Sequence, residues 1–478
     1  MNRRDFCRHG LALGALLAAS PTAAQLLSGA GAVLDVRSFG ALGDGLRDDT
    51  AALQRALDAA PEGATVLVPR TRAFYRISAP LVVRQGITVL SADGAELRQT
   101  TPGAGAVQVE AAGVEIRGLT LTGTQFVRTV YTECGVRATG PSARRPIRGL
   151  TVAGCRIQAW GGYGVLLRYV DGFRVEGCGI ERVNYGGVLG FSARNGTVAG
   201  NRVETVPGSP LTSGNAYGIG MTRAGGGDLE RDPRSANVSI TGNVVRGVAG
   251  WEGIDTHGGQ GISITRNVVT GCRVGIMCTS VPVGGREVLA PLDCVVQGNV
   301  VDSGRRDGRA WTGIGFIGAA PPSGPVQEAA TGAITGNLVR GHGPADTVSG
   351  AILCRSTRGL LIRGNTLEEP SPFGICLWYQ NEDARVLENT IVDAWTDAGS
   401  AAGGIVLRDR HNVALVEGNA FLRTPRSPRA HSPHYFESAV QVSGPESSAT
   451  VRGNRNEAPT ELRSTVPGSN VRRGISSR

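Results

Sequence analysis

The 478-residue chain contains no lysine, so all 49 of its basic residues are arginine. A lysine catalytic base is thereby excluded. Aromatic residues make up only 5% of the chain. That is little for a large globular interior and fits a thin core between many tight turns. The nine cysteines are scattered, with no CxxC pair and no zinc-ligand spacing. There is no P-loop and no glycine fingerprint that follows a strand and opens a helix, and Gly225-Gly226-Gly227 reads as a loop rather than a phosphate cradle. Beyond the N-terminus no apolar stretch is long enough to span a bilayer, so no stable membrane anchor is expected. Acidic clusters are sparse, and neither a metal site nor a cofactor is expected.

Glycine is abundant, with 71 residues, and the net charge is +9. Arginine forks match carboxylates in two-point geometry, which favours an acidic ligand, although a codon bias towards arginine gives the same count. The arginines are spread along the chain rather than gathered in a basic stripe, so nucleic acid is not an expected partner. The first residues, Asn2-Arg3-Arg4-Asp5-Phe6, resemble a twin-arginine export signal. They are followed by an apolar run from Leu11 to Ala19 and small residues Thr22-Ala23-Ala24. Residues 1–24 are therefore expected to be a signal peptide handled by the twin-arginine machinery, and the mature protein to be periplasmic or secreted. Such proteins fold before export, so the remaining eight cysteines are read as small core hydrophobes rather than disulfides.

A repeat runs through most of the chain. An apolar-x-Gly-Asn-x-apolar phrase recurs at Asn201, Asn243, Asn299, Asn337, Asn365, Asn419 and Asn454, with weaker copies at Asn267 and Asn389. Cys155 and Cys178 hold the same slot in two earlier copies. Successive slots at 155, 178, 201, 243, 267, 299, 337, 365, 389, 419 and 454 differ by 23, 23, 42, 24, 32, 38, 28, 24, 30 and 35. The shortest step is one coil, and longer steps are coils with inserted loops. A second phrase, Gly-apolar-x-apolar, adds short period-two segments such as Gly164-Val165-Leu166-Leu167 and Gly374-Ile375-Cys376-Leu377. Two or three strands per coil describe an all-β, single-stranded right-handed parallel β-helix, not a propeller or a leucine-rich repeat. The repeated asparagine is expected to take a left-handed turn and to bond its copies above and below.

The start of the mature chain carries Val36, Phe39-Gly40-Ala41, Gly43-Asp44-Gly45, Asp48-Asp49-Thr50, Ala52-Leu53-Gln54 and Ala56-Leu57-Asp58-Ala59-Ala60. This stretch resembles the N-terminal signature of the pectate-lyase-like superfamily. The layout as a whole resembles twin-arginine-translocated repeat proteins of unknown function. The resemblance implies a cap motif at 33–60 with a short capping helix, the β-helix at 61–456 and a polar flexible tail at 457–478. Asp48 or Asp49 is expected to cap the helix, with Leu53, Ala56 and Leu57 facing inward. The resemblance leaves calcium possible, but acidic clusters are sparse in this sequence and give it no support.

Parity singles out one coil. In Gly253-Ile254-Asp255-Thr256-His257 the Ile254 slot is Val or Ile in every coil and faces in, so Asp255 and His257 point out. The Asp255 slot elsewhere holds Leu166, Leu189, Gly220, Met277 and Gly315, so a carboxylate appears there once. Long steps after Asn201, Asn267 and Asn299 place loops on both sides of this coil, as walls of a groove. The Gly-Ile-Asp-x-His phrase resembles the Asp-x-His site of β-helical mannuronan epimerases and alginate lyases. This chain has Glu252 where those enzymes carry tyrosine and Thr256 where they usually carry proline. Tyr217, in the Glu252 slot one coil earlier, can supply the phenol.

The expected chemistry is C5 proton transfer on a uronate by a lyase or C5-epimerase. His257 is the base, Asp255 orients it or binds the carboxylate, Tyr217 is the acid, and Arg223 neutralises the carboxylate. Glu252 completes the catalytic set. Arg168, Tyr185, Trp251 and Trp311 are candidate residues for binding acidic polysaccharide. Two alternatives stay open. One is hydrolysis of pectin-like glycans by Glu252 and Asp255; the other is a non-catalytic glycan-binding envelope protein.

Overall fold

The computed structural model describes residues 31–124, 131–208, 214–225, 228–283, 286–320, 324–344, 349–398, 401–464 and 470–473. The expected leader, 1–24, lies outside them. The period-two segments stack into three parallel sheets of 16, 14 and 14 strands, in which each strand pairs with its counterpart one coil away. This is a right-handed parallel β-helix. Inward positions form apolar columns. In the 14-stranded sheet that begins at Leu81–Val83, Val165, Val188, Ile219, Ile254, Ile276, Ile314, Ile352, Ile375, Ile405 and Val440 are successive Cα partners. Every one of them is fully buried. Parallel pairing in register puts like on like, and a β-branched column fills the narrow core without gaps.

At the corner between the other two sheets runs the asparagine ladder. The side-chain amide of each of Asn201, Asn243, Asn267, Asn299, Asn337, Asn365, Asn389 and Asn419 donates to the Oδ1 of the next, ending at Asn454, over 2.9–3.0 Å. Each also donates to a carbonyl of the coil behind it, as Asn299 does to Ile264 O at 2.9 Å. Polar atoms buried here are therefore paired on both sides. The left-handed residue is not the asparagine, as the sequence suggested, but the one before it: Gly200, Gly242, Gly298, Gly336, Gly364, Gly418 and Gly453, with Arg266 and Glu388 in the two weaker copies. Glycine takes that conformation at no steric cost, which leaves the asparagine free to point inward.

Val33–Asp35 starts the 16-stranded sheet, and the helix Thr50–Ala59 follows. Its Leu53, Ala56 and Leu57 are buried against the first coils. Gln54 closes an open edge: its amide donates to Val82 O and its carbonyl accepts from Val82 N, both at 2.9 Å. An edge strand sealed this way cannot recruit another chain. Asp49 sits at the N-cap, but its carboxylate accepts from Leu42 N and Gly43 N instead of capping the helix. Asp48 takes the Thr50 N–H at 2.9 Å. At the other end, Thr460–Ser464 and Asn470–Arg473 pair onto the stack, so paired strand continues past residue 456. No helix among the described residues is long and apolar enough to cross a membrane.

Candidate active site

The strand Glu252–His257 lies in the same sheet as Tyr217–Thr222, with Glu252 opposite Tyr217 and Asp255 opposite Gly220. Ile254 and Thr256 are fully buried in the core, and Thr256 Oγ1 donates to Met221 O at 2.8 Å. Asp255 and His257 are therefore on the outer face. Glu252, at the turn that opens the strand, brings its side chain to the same face. His257 Nε2 lies 3.2 Å from Glu252 Oε2 and 3.3 Å from Asp255 Oδ2. Tyr217 meets the imidazole edge-on, with ring centroids 5.9 Å apart.

Loops raise the walls. One follows Thr222 and the other begins with the hairpin Val281–Val283/Arg286–Leu289. They are bolted together by Arg234, whose guanidinium donates to Gly258 O at 2.8 Å, to Ala290 O at 2.5 Å and to Glu328 at 2.5 Å. Between them is an open cleft of roughly 460 Å³ lined by Tyr185, Phe191, Tyr217, Arg223, Asp255 and His257, among others. The walls narrow the site without sealing it: His257 keeps 23% of its side-chain surface, while Glu252 and Asp255 keep 3% each.

Burial pushes the Asp255 carboxyl well above its ordinary range; the charge of His257 pulls it down and that of Glu252 adds to the rise. Burial works against charging His257, but the hydrogen bond and charge of Glu252, together with Asp255, raise it to about 9. The cluster thus holds an imidazolium at neutral pH between two carboxyl groups. A histidine resting as a neutral base, as the sequence suggested, is not what this setting gives. Burial and then the charges of Asp255 and Glu252 drive Tyr217 far up, so its phenol stays protonated. Asp255 Oδ1 is buried and has no hydrogen-bond partner among the described residues.

The remaining expected residues divide. Tyr185 joins the wall, stacked edge-on against Tyr217 at 5.5 Å. Arg223 lines the cleft, but its Nε donates to Asp232 O and its Nη2 to Asp228 O, both at 3.1 Å, which commits much of the guanidinium to its own loop. Trp251 and Trp311 stand at the neighbouring corner with Arg273 over their rings, at 5.1 and 4.1 Å. Neither is among the cleft-lining residues. Arg168 is exposed over Tyr169 and likewise stands apart. Gly220 is the functional position that sequence reasoning passed over. A Cβ there would lie 2.3 Å from Asp255 Oδ1, so glycine is what lets the carboxylate lie across the neighbouring strand. The signal was present as a glycine in a slot that holds Leu or Met in nearby coils.

Two family models match the chain: "Right handed beta helix region" over residues 105–281, and "Rhamnogalacturonase A/epimerase, pectate lyase-like" over residues 33–130. No curated protein matches the sequence. Among solved structures, the chain is similar to the tailspike protein of E. coli bacteriophage HK620 in complex with pentasaccharide (TM-score 0.58, 13% identity, 90% of this chain and 78% of that one). It is also similar to the catalytic domain of a GH87 alpha-1,3-glucanase in complex with nigerose (TM-score 0.52, 13% identity, 95% and 70%). The A-module of an Azotobacter vinelandii mannuronan C-5 epimerase matches at TM-score 0.47 and 16% identity, over 92% of this chain and 100% of that one. At these identities the likeness is one of fold. Fold and register together define the class, the right-handed parallel β-helix. Within it, the two family models, over residues 33–130 and 105–281, support a pectate-lyase-like superfamily.

Proposed function

We propose that the protein acts on an acidic polysaccharide and moves the C5 proton of a uronate, as a lyase or C5-epimerase. The observation that carries this reading is the convergence of Glu252, Asp255 and His257 on one outer face of the helix, at the floor of an open cleft and beside the phenol of Tyr217. The C5 proton of a uronate becomes acidic only when the adjoining carboxylate is neutralised. Asp255 suits that task, because a buried carboxyl that keeps its proton can donate to the substrate. His257, held by Glu252, exchanges the C5 proton once it has given up its own. Tyr217 then protonates either the leaving oxygen, which completes elimination, or the opposite face of the carbanion, which completes epimerisation. The oligosaccharides in the two solved relatives of this fold support a glycan as partner. We extend the reading to a protein that works outside the cytosol, on the strength of the leader-like residues 1–24.

A second reading has one observation in its favour. Glu252 and Asp255 present two carboxyls on one face, with ligand atoms no more than 4.8 Å apart, and retaining glycosidases work with a pair of carboxyls at ~5–5.5 Å. The test is to incubate the purified chain with a panel of uronate polymers and to follow the absorbance of the unsaturated product. The chromophore supports elimination. New reducing ends without it, and without epimerised units, transfer the site to hydrolysis. Binding with no product at all reduces the cleft to a glycan-binding surface.

A further inference from the structure

The three side chains at the cleft floor do more than neighbour one another. One nitrogen and two carboxylate oxygens, from three residues, all lie within 4.8 Å of each other. The two measured separations from His257 Nε2 are 3.2 and 3.3 Å. A tetrahedral ion with ligand bonds of ~2.0–2.1 Å has donor–donor edges of about 3.3–3.4 Å. A hydrogen-bonding account asks a single Nε2 proton to serve two acceptors; Asp255 Oδ1, the oxygen not in contact with His257, is buried without a partner among the described residues. Gly220 clears the space into which that oxygen points. Among the described residues no other three His, Cys, Asp or Glu side chains converge in this way. The other histidine–carboxylate contacts, His411–Glu446 and His434–Glu437, are two-membered and more exposed.

We propose that Glu252, Asp255 and His257 form a mononuclear site for a divalent transition-metal ion, with its open coordination position facing the cleft. The donor mix decides the class of ion. An imidazole nitrogen with two carboxylate oxygens suits zinc, manganese or cobalt, whereas calcium takes six to eight oxygens. Three protein donors and one open position make up the arrangement of a site that binds a small ligand as well as the metal. The part such an ion plays in turnover rests on the proposed uronate chemistry. An ion held by His257 Nε2 and Asp255 takes both groups out of the proton transfer proposed above, so that transfer belongs to the ion-free protein and the ion governs whether it can run.

The test uses the full chain stripped with a chelator and titrated with Co²⁺, read by the visible absorption of the bound ion. The expected result is one equivalent per chain, displaced by Zn²⁺, abolished in His257→Ala and weakened at least about tenfold in Glu252→Gln. His411→Ala, at the exposed pair, binds as the parent does. Circular dichroism checks each fold, and if His257→Ala does not fold, Glu252→Gln decides. Failure of the parent to bind stoichiometrically, or undiminished binding by the folded variants, overturns the site. The two proposals fail separately. Cobalt binding without product from any uronate polymer keeps the site and removes the reaction. Full turnover by stripped protein that binds no cobalt keeps the reaction and removes the site.

Discussion

Two corners of the same solenoid treat buried polar groups in opposite ways. Along the asparagine ladder, amide follows amide from Asn201 to Asn454, and each donates to the next and to a carbonyl behind it. On the outer face at Glu252–His257, three ionisable groups converge once, with Asp255 opposite Gly220 and Met277 in the adjacent coils, and one of its oxygens has no partner among the described residues. The ladder is a periodic solution to a periodic need, which is to satisfy the backbone at every turn. The cluster answers no need of the repeat, and burying charge costs free energy unless function retains it. In a solenoid, then, repetition marks structure and interruption marks chemistry.

That contrast can be broken by substitution. The largest effect expected is on turnover. His257→Ala lowers the rate of product formation per folded molecule by roughly 10²–10⁴, the usual contribution of a positioned proton carrier. The ladder bears on stability instead. Asn299→Ala strands the Asn267 backbone and side-chain N–H groups and Ile264 O, and removes one of the two donors to Asn337 Oδ1, at about 1–3 kcal/mol for each buried group left unpaired. Its melting temperature falls, while the rate per folded molecule stays at the parent value. A ladder variant that loses turnover but not stability would erase the distinction.

Smaller effects sharpen it. In chelator-treated protein the rate rises with pH and levels off above about 9, because His257 must lose its proton before it can take one from C5. A flat profile across that range removes His257 as the base. Gly220→Ala pushes a methyl group against Asp255 Oδ1 and Leu189 and lowers the rate by displacing the carboxylate. The smallest change belongs to the corner pair. Trp311→Ala raises KM by the equivalent of about 0.5–1.5 kcal/mol if the polymer reaches past the cleft, and leaves kcat alone. An unchanged KM confines substrate contact to the cleft walls.

Much of this was legible in the sequence, and for one reason. Parallel in-register stacking turns a linear repeat into columns, so that counting from one Asn phrase to the next gave the slots opposite Asp255 and Ile254 and the pairing of Glu252 with Tyr217. Parity gave the facing of Asp255 and His257. What could not be read follows from the same geometry. The side of Glu252 depends on turn dihedrals, not on strand alternation. The part played by Arg223 depends on where its loop places the carbonyls of Asp228 and Asp232. The left-handed residue was assigned to the wrong neighbour, because glycine and asparagine both favour that conformation and only Arg266 and Glu388 show that the position before the asparagine is the one that adopts it. The metal-like convergence was missed because its donors, at i, i+3 and i+5 of a strand, match no helical or loop ligand spacing.

The central claim is that the lone cluster moves a C5 proton. It is tested most directly by incubating the chain with uronate polymer in deuterated water and reading deuterium at C5 in the recovered material by NMR. With the parent, the expected result is deuterium at C5 of epimerised units or, on elimination, unsaturated ends with no hydrogen at C5, and neither with His257→Ala. Polymer cleaved by the parent with every C5 still carrying its original proton would contradict it.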